Sequence, residues 1–265
     1  MRMAITREVS TQIGRCELAY QIREMINVEL ARAQHHRYEE CLIALGCRVH
    51  RLREEPELPD SVFVEDAAIV LDELAIITRP GAESRRPETQ SIARALRPYR
   101  SLATIEAPGV LDGGDVLHLG KRLFVGLSRR SNEAAIVQMR DLLAGYGYSV
   151  TGVPVRDCLH LKSAVTQVSA DTLLINRNWV DGEPFAPMQL VEVHSSEPFA
   201  ANALMVEGGV VFPLAYPATR RRLEARGIEV HIVDVSELAK AEGGVTCCSL
   251  IFSADVRSSL RDATK

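Results

Sequence analysis

No stretch of the 265-residue sequence approaches the length of an apolar membrane span. The opening segment, MRMAITREVS, has neither an apolar core nor a cleavage signal, so no targeting segment is expected there. A basic excess is also missing. The net charge is −4 and the pI is near 6.0, which argues against the electrostatic footprint of a nucleic-acid binder. The six cysteines (Cys16, Cys41, Cys47, Cys158, Cys247 and Cys248) form no CxxC pair and no His/Cys cluster with zinc spacing. A structural metal is therefore not expected. In a long cytosolic chain the default for each cysteine is a small buried hydrophobe. These absences leave a soluble cytoplasmic protein, long enough for one large domain or two small ones.

What is present is a recurring pattern. Val62–Val64 and Ala67–Leu71, then Ala75–Thr78, predict a hairpin-like unit turning at Asp72-Glu73. Asp115–Leu119 and Arg122–Gly126 flank Gly120-Lys121 in the same manner. Ser163–Val168 with Leu173–Asn176, and Asn202–Val206 with Val210–Phe212, predict two more. Met3–Arg7 and Thr246–Phe252 stand alone at the two ends. Helical patterns follow over Val28–Leu45, Glu83–Leu96 (interrupted by Pro87), Asn132–Tyr146 (capped by Ser131) and Ala218–Arg226. Only 178–196, with its single tryptophan, reads as an irregular insertion or a short helix. The unit recurs every roughly 40–50 residues, the range of repeat and propeller architectures. In a closed ring the N-terminal strand would complete the last unit beside Thr246–Phe252, leaving no free sheet edge. An open mixed α/β sheet is the alternative.

Chemistry-bearing residues fall at the strand–loop junctions. Asp60-Ser61-Val62-Phe63-Val64-Glu65-Asp66 opens the first hairpin with three acids, either solvated turn residues or a carboxylate cage for a cation. On a strand, Glu65 and Asp66 would point to opposite faces unless a bulge intervenes. In Leu111-Asp112-Gly113-Gly114-Asp115 two acids bracket two glycines, which permit a left-handed backbone or a close approach. His160 lies between two leucines at a strand entrance, a setting that most often means packing. Arg129-Arg130-Ser131-Asn132 joins a strand to a helix start, where an anionic group can bind. Taken together, the acids, a histidine, arginines and a cysteine converge on the axis of a closed ring. A cysteine with a histidine is a nucleophile and acid/base pair, and carboxylates around it call for a cationic substrate.

At these residues the chain resembles bacterial dimethylarginine dimethylaminohydrolases, members of the guanidino-group-modifying superfamily. The resemblance is carried by DSVFVED (60–66), ITRPGAESRR (77–86), LDGGDVL (111–117), GLSRRSN (126–132), LHLKSAVT (159–166) and GGVTCCSL (243–250), in order over nearly the whole length. It implies a single domain, 1–265, folded as a five-bladed α/β propeller (pentein) with pseudo-five-fold symmetry. It implies hydrolysis of asymmetric dimethylarginine or monomethylarginine to citrulline and dimethylamine or methylamine. By motif, Cys247 is the implied nucleophile and His160 the general acid/base. Glu65, Asp66 and Asp112 are the implied guanidinium-side carboxylates, with Asp60 also lining the site. Arg85 and Arg130 are the implied partners of the substrate carboxylate. Leu18 and the backbone of Ala241 complete the substrate contacts. Some relatives carry Glu where Asp112 stands, a longer arm. The implied partner is a small methylated arginine, with no metal, cofactor, nucleic acid or membrane, and with a homodimer left open.

Two expectations follow from this chemistry. Nearby carboxylates should hold Cys247 as a resting thiol that a bound cation activates. If the segment is a strand, Cys247 and Cys248 point oppositely, so Cys248 is a packed hydrophobe. The rival readings are an arginine deiminase, with ammonia as leaving group, and a non-catalytic propeller of the kind found in a ribosome anti-association factor.

Overall fold

The computed structural model describes residues 1–254; residues 255–265, part of the single-domain expectation, lie outside it. The elements are β1 (Arg2–Arg7), α1 (Val28–Ala44) and β2 (Arg48–Leu52); β3 (Ala68–Val70), β4 (Leu74–Ile77), α2 (Glu88–Leu96) and β5 (Ser101–Thr104); and β6 (Val116–Leu119), β7 (Arg122–Leu127), α3 (Glu133–Leu143) and β8 (Ser149–Pro154). Then come α4 (Leu161–Ala164), β9 (Val165–Gln167), β10 (Thr172–Ile175) and β11 (Gln189–Glu192); β12 (Leu204–Val206), β13 (Gly209–Pro213), α5 (Pro217–Glu224) and β14 (Val230–Val233); and α6 (Ser236–Ala239) and β15 (Leu250–Ser253).

These strands make five three-stranded sheets, β3-β4-β5, β6-β7-β8, β9-β10-β11, β12-β13-β14 and β15-β1-β2. In each, two strands run antiparallel and the third returns parallel to the middle one. The fifth sheet repeats the pattern with the two ends of the chain. Ile5 of β1 faces Leu250 of β15 on one side and His50 of β2 on the other. The expected partnership of the terminal strands is thus present. The parallel third strands were not anticipated, because short runs such as Ser101–Thr104 carry little apolar alternation.

The middle strands are the most apolar, and they are covered on both sides. Leu74–Ile77 and Thr172–Ile175 are buried throughout, as expected of strands packed on two faces. Helices cover the returns. On α1, Ala31, Tyr38 and Leu42 are fully buried at helical spacing and join Val62, Phe63 and Val245 in one core cluster. Across segment 178–196, Trp179, Val180 and Phe185 pack into the core where other units place a helix, and β11 closes the unit. The expected irregular insertion is therefore a full return with a short 3₁₀ turn at Glu183–Phe185. Among the described residues, no helix is long and apolar enough to cross a membrane.

Two local differences from the sequence reading matter for the site. Val64–Ala67 is a 3₁₀ turn and not a strand, so strand alternation does not govern Glu65 and Asp66. Cys247 and Cys248 lie in a turn ahead of β15, so the strand argument for their opposite facing does not apply either.

Candidate active site

The functional side chains stand just ahead of the first strand of each sheet. Glu65 and Asp66 precede β3, Asp112 and Asp115 precede β6, and His160 and Lys162 precede or open the turn into β9. Asn202 precedes β12, and Cys247 precedes β15. The approach is tight. A Cβ on Gly114 would lie 2.6 Å from His160 Nδ1 and 2.8 Å from Asp66 Oδ1. Gly114 is therefore required for close packing of histidine on carboxylate, and its φ is not positive.

His160 is buried, and its Nε2 lies 3.1 Å from Asp112 Oδ2. Asp112 is fully buried, and its Oδ1 accepts the Gly81 N–H at 2.8 Å. Asp112, implied as a guanidinium-side carboxylate, is thus hydrogen-bonded to the imidazole. Asp115 fixes the same histidine from behind. Its Oδ1 accepts the Leu161 N–H at 2.9 Å, and its Oδ2 accepts from the Ser128 and Ser131 hydroxyls at 2.6 and 2.7 Å. Ser131, expected as a helix cap, is used here instead; Asn132 caps α3 by accepting the Ala135 N–H at 3.1 Å. Burial alone would lower the His160 pKa, but Asp66, the Asp112 hydrogen bond and Asp115 outweigh it and raise it to about 9. Burial pushes Asp115 itself up to about 6. His160 is therefore an imidazolium at neutral pH, able to donate a proton.

Asp66 accepts the Gly114 N–H at 2.9 Å and Arg85 Nη1–H at 2.6 Å. Burial opposes its charge, yet His160 and Arg85 hold it well below the ordinary carboxylate range. Glu65 accepts from Lys162 Nζ and from the Thr246 hydroxyl, the latter at 2.8 Å. Burial raises its pKa, and Lys162 opposes the rise. Ligand atoms of Asp66, Asp112 and His160 lie within 4.8 Å of one another. The positive charge at that triangle comes from the imidazolium, from Arg85 on Asp66 and from Arg130, whose Nη1 is 3.6 Å from Asp112 Oδ2.

Cys247 is half-buried and lines one cavity of about 110 Å³ with His160 and Asn202. Its Sγ accepts the Gly244 N–H at 3.4 Å, and its carbonyl accepts the Glu65 N–H at 3.1 Å. Burial first, then Glu65 and Asp66, push the thiol up to about 12. A resting thiol was expected; the larger cause is burial, with the carboxylates second. Cys248 is buried among core residues, and its Sγ donates to Gly244 O at 3.5 Å.

The remaining expected residues border this centre in different ways. Asp60 accepts the Glu17 N–H, anchoring the loop that carries Leu18. Leu18 is half-buried against the core, and Ala241 is buried. Arg130 is buried, and its Nη1 has no hydrogen-bond partner. Arg85 is also buried; it donates to Glu88, to Asp66 and to the Asp60 and Phe63 carbonyls, which leaves one Nη1 hydrogen uncommitted.

Three contributors were not singled out from the sequence. Lys162 and Thr246 lie inside quoted motifs, and both reach Glu65. Asn202 had no local signal. Its amide donates to Lys162 O at 3.1 Å and to Thr246 Oγ1 at 3.0 Å, and its Oδ1 accepts the Thr246 N–H at 3.1 Å. It ties the histidine segment to the nucleophile turn.

Residues 4–183 match the family described as N,N dimethylarginine dimethylhydrolase, eukaryotic. The chain is 36% identical over 251 residues to the N(G),N(G)-dimethylarginine dimethylaminohydrolase of Streptomyces coelicolor, covering 94% of this chain and 96% of that one. Among solved structures it is similar to a Pseudomonas aeruginosa enzyme of that name, a cysteine-to-serine variant complexed with citrulline (TM-score 0.88, 33% identity, 94% and 98% of the chains covered). It is similar also to a dimethylarginine dimethylaminohydrolase adduct with S-methyl-L-thiocitrulline (TM-score 0.90, 33% identity, 94% and 99% covered). The chain belongs to the dimethylarginine dimethylaminohydrolase family.

Proposed function

We propose that this chain hydrolyses N-omega-methylated arginine, asymmetric dimethylarginine or monomethylarginine, to citrulline and the corresponding methylamine. The five like sheets are read as blades of one propeller, with the residues ahead of each first strand gathered at its axis. The observation that carries the activity is the shared cavity of Cys247 and His160, with an imidazolium fixed on Asp112 and with Glu65 and Asp66 close to the thiol.

The chemistry follows from those charges. A guanidinium binds against Glu65 and Asp66, and its charge favours loss of the Cys247 proton to solvent. The thiolate attacks the central carbon, forming a C–S bond. His160 donates its proton to the methylated nitrogen, the C–N bond breaks, and neutral dimethylamine leaves. The S-alkylthiouronium that remains is cationic and stays on the carboxylates. Neutral His160 takes a proton from the incoming water and the C–O bond forms; the C–S bond then breaks, the leaving sulfur takes the remaining hydroxyl proton to restore the Cys247 thiol, and neutral citrulline departs. At the other end of the substrate, the Nη1 of Arg130, which has an ion-pair neighbour in Asp112 but no hydrogen-bond partner, supports a role for that residue in holding the α-carboxylate. Arg85 keeps one donor for the same task while fixing Asp66.

The test is incubation of purified protein with arginine, monomethylarginine and asymmetric dimethylarginine, each separately, with citrulline and the released amine quantified and Cys247→Ser as control. Citrulline with dimethylamine, absent in the variant, is the expected result. Preference for arginine with ammonia release would move the chain to the deiminase reading. No citrulline from any of the three would overturn the activity.

A further inference from the structure

The loop that carries Leu18 is fastened to the segment just ahead of the nucleophile turn. Glu242 Oε1 and Oε2 accept the Ala19 N–H at 3.1 and 3.0 Å, and Oε1 also accepts the Tyr20 and Gln21 N–H groups at 2.6 Å each. Further along, Lys240 Nζ donates to Met25 O at 3.2 Å, and Glu237 Oε2 accepts the Asn27 N–H at 2.8 Å. Hydrophobic packing does not hold the tip of this loop. Ile22 is 89% exposed and Met25 91%. A carboxylate on three successive backbone N–H groups is a charge-assisted contact of the strong kind. Glu242 also sits at φ +59, a left-handed backbone unusual for a residue with a side chain. Strain of that sort persists where the surroundings fix it, and it clusters at clamps and switches. Both Gln21 and Glu242 line the cavity that contains Cys247 and His160.

We propose that Glu242 is the clasp of a lid. Its carboxylate holds backbone 19–21 closed beside the Cys247 cavity, and release of that contact opens the path for substrate and product. Glu242 acts through the loop, so it is a positioning residue. The kinetic consequence rests on the methylarginine-hydrolase reading, whereas the opening itself does not. The clasp lies five residues before Cys247, which links the lid directly to the turn that presents the nucleophile.

The test uses the full chain with Glu242→Gln, Glu242→Ala and Glu242→Gly. Lid opening is read by trypsin cleavage after Arg23, followed by intact mass. Arg23 is held in the closed loop by its bonds to the Gly14 and Cys16 carbonyls, at 2.6 and 2.7 Å. Cleavage in Glu242→Ala is expected to be about tenfold faster or more, by analogy with other losses of charged hydrogen bonds. Glu242→Gln, which keeps one acceptor oxygen, should fall between Ala and the wild type. Glu242→Gly relieves the backbone strain yet should cleave as fast as Ala. With asymmetric dimethylarginine, KM should rise more than kcat falls, while the Tm of the folded body stays near that of the wild type. Unchanged cleavage in Glu242→Ala, or wild-type cleavage in Glu242→Gly, would overturn the clasp. Because cleavage needs no turnover, a protein inactive on methylarginine would still report on the lid.

Discussion

Near neutral pH a thiol with a pKa of about 12 in place of the ordinary 9.0 has about a thousandfold less thiolate. That is about 4 kcal/mol against the charged form, supplied by burial first and then by Glu65 and Asp66. Burial does not change when a small cation enters, but the field of the two carboxylates does. An opposite charge within ~4–6 Å typically moves a pKa by about one to three units, so a cation should restore about ten- to a thousandfold of the thiolate. The assay compares two alkylating agents of the same size, chloroacetamidine, which is cationic, and chloroacetamide, which is neutral. Inactivation rates at Cys247 are measured across pH and divided by the rates of the same agents with free cysteine. The corrected preference for the amidine is expected to be at least about tenfold, and it should shrink in Glu65→Gln, where the neutral agent gains. A corrected ratio of one, with parallel pH profiles for the two agents, would refute the argument. The thiol would then be gated by burial alone and the carboxylates would have no part in its activation.

Cys247→Ser should abolish citrulline formation, whereas Cys248→Ser should keep most of it and cost about 1 kcal/mol of stability, since a hydroxyl can donate to the same Gly244 carbonyl; amine release and denaturant midpoints separate the two. Asp112→Asn removes a charge and leaves one acceptor oxygen where Asp112 uses two, for the Gly81 N–H and for His160, so the alkaline limb of the kcat profile, set by loss of the His160 proton, should move to lower pH. His160 also ties stability to pH. Its folded pKa of about 9 stands above the ordinary 6.5, so its contribution is complete below pH 6.5 and is lost as the pH rises through 9. The difference amounts to about 3 kcal/mol. The Tm should therefore fall between those values, and by less in His160→Gln.

The strand pairs and the order of the units were legible because hairpins are written locally, in apolar runs broken by Gly120-Lys121 or Glu207-Gly208. The parallel returns were not, since their partners lie across a long connection, a helix in four of the five sheets, and their exposed alternation is weak, as in Arg48–Leu52. Cys247, His160 and the acids were likewise legible from short motifs, but their relations to one another were not. Asp112 looked like a ligand for a guanidinium, and in the structure it is hydrogen-bonded to His160. Ser131 looked like a cap, and it accepts the Asp112 N–H and donates to Asp115. Asn202 had no local signal at all, because its partners, Lys162 and Thr246, are 40 and 44 residues away. What unites these residues is their position ahead of the first strand of each sheet. Hydrogen bonds among these residues join the turns ahead of β3, β6, β9, β12 and β15 to one another. A polar residue in that register of the β12-β13-β14 unit, such as Asn202, is then expected to belong to the site even without a motif of its own. The physical reason is that a buried amide needs partners, and ahead of β12 it finds them in two other such turns, at Lys162 and Thr246.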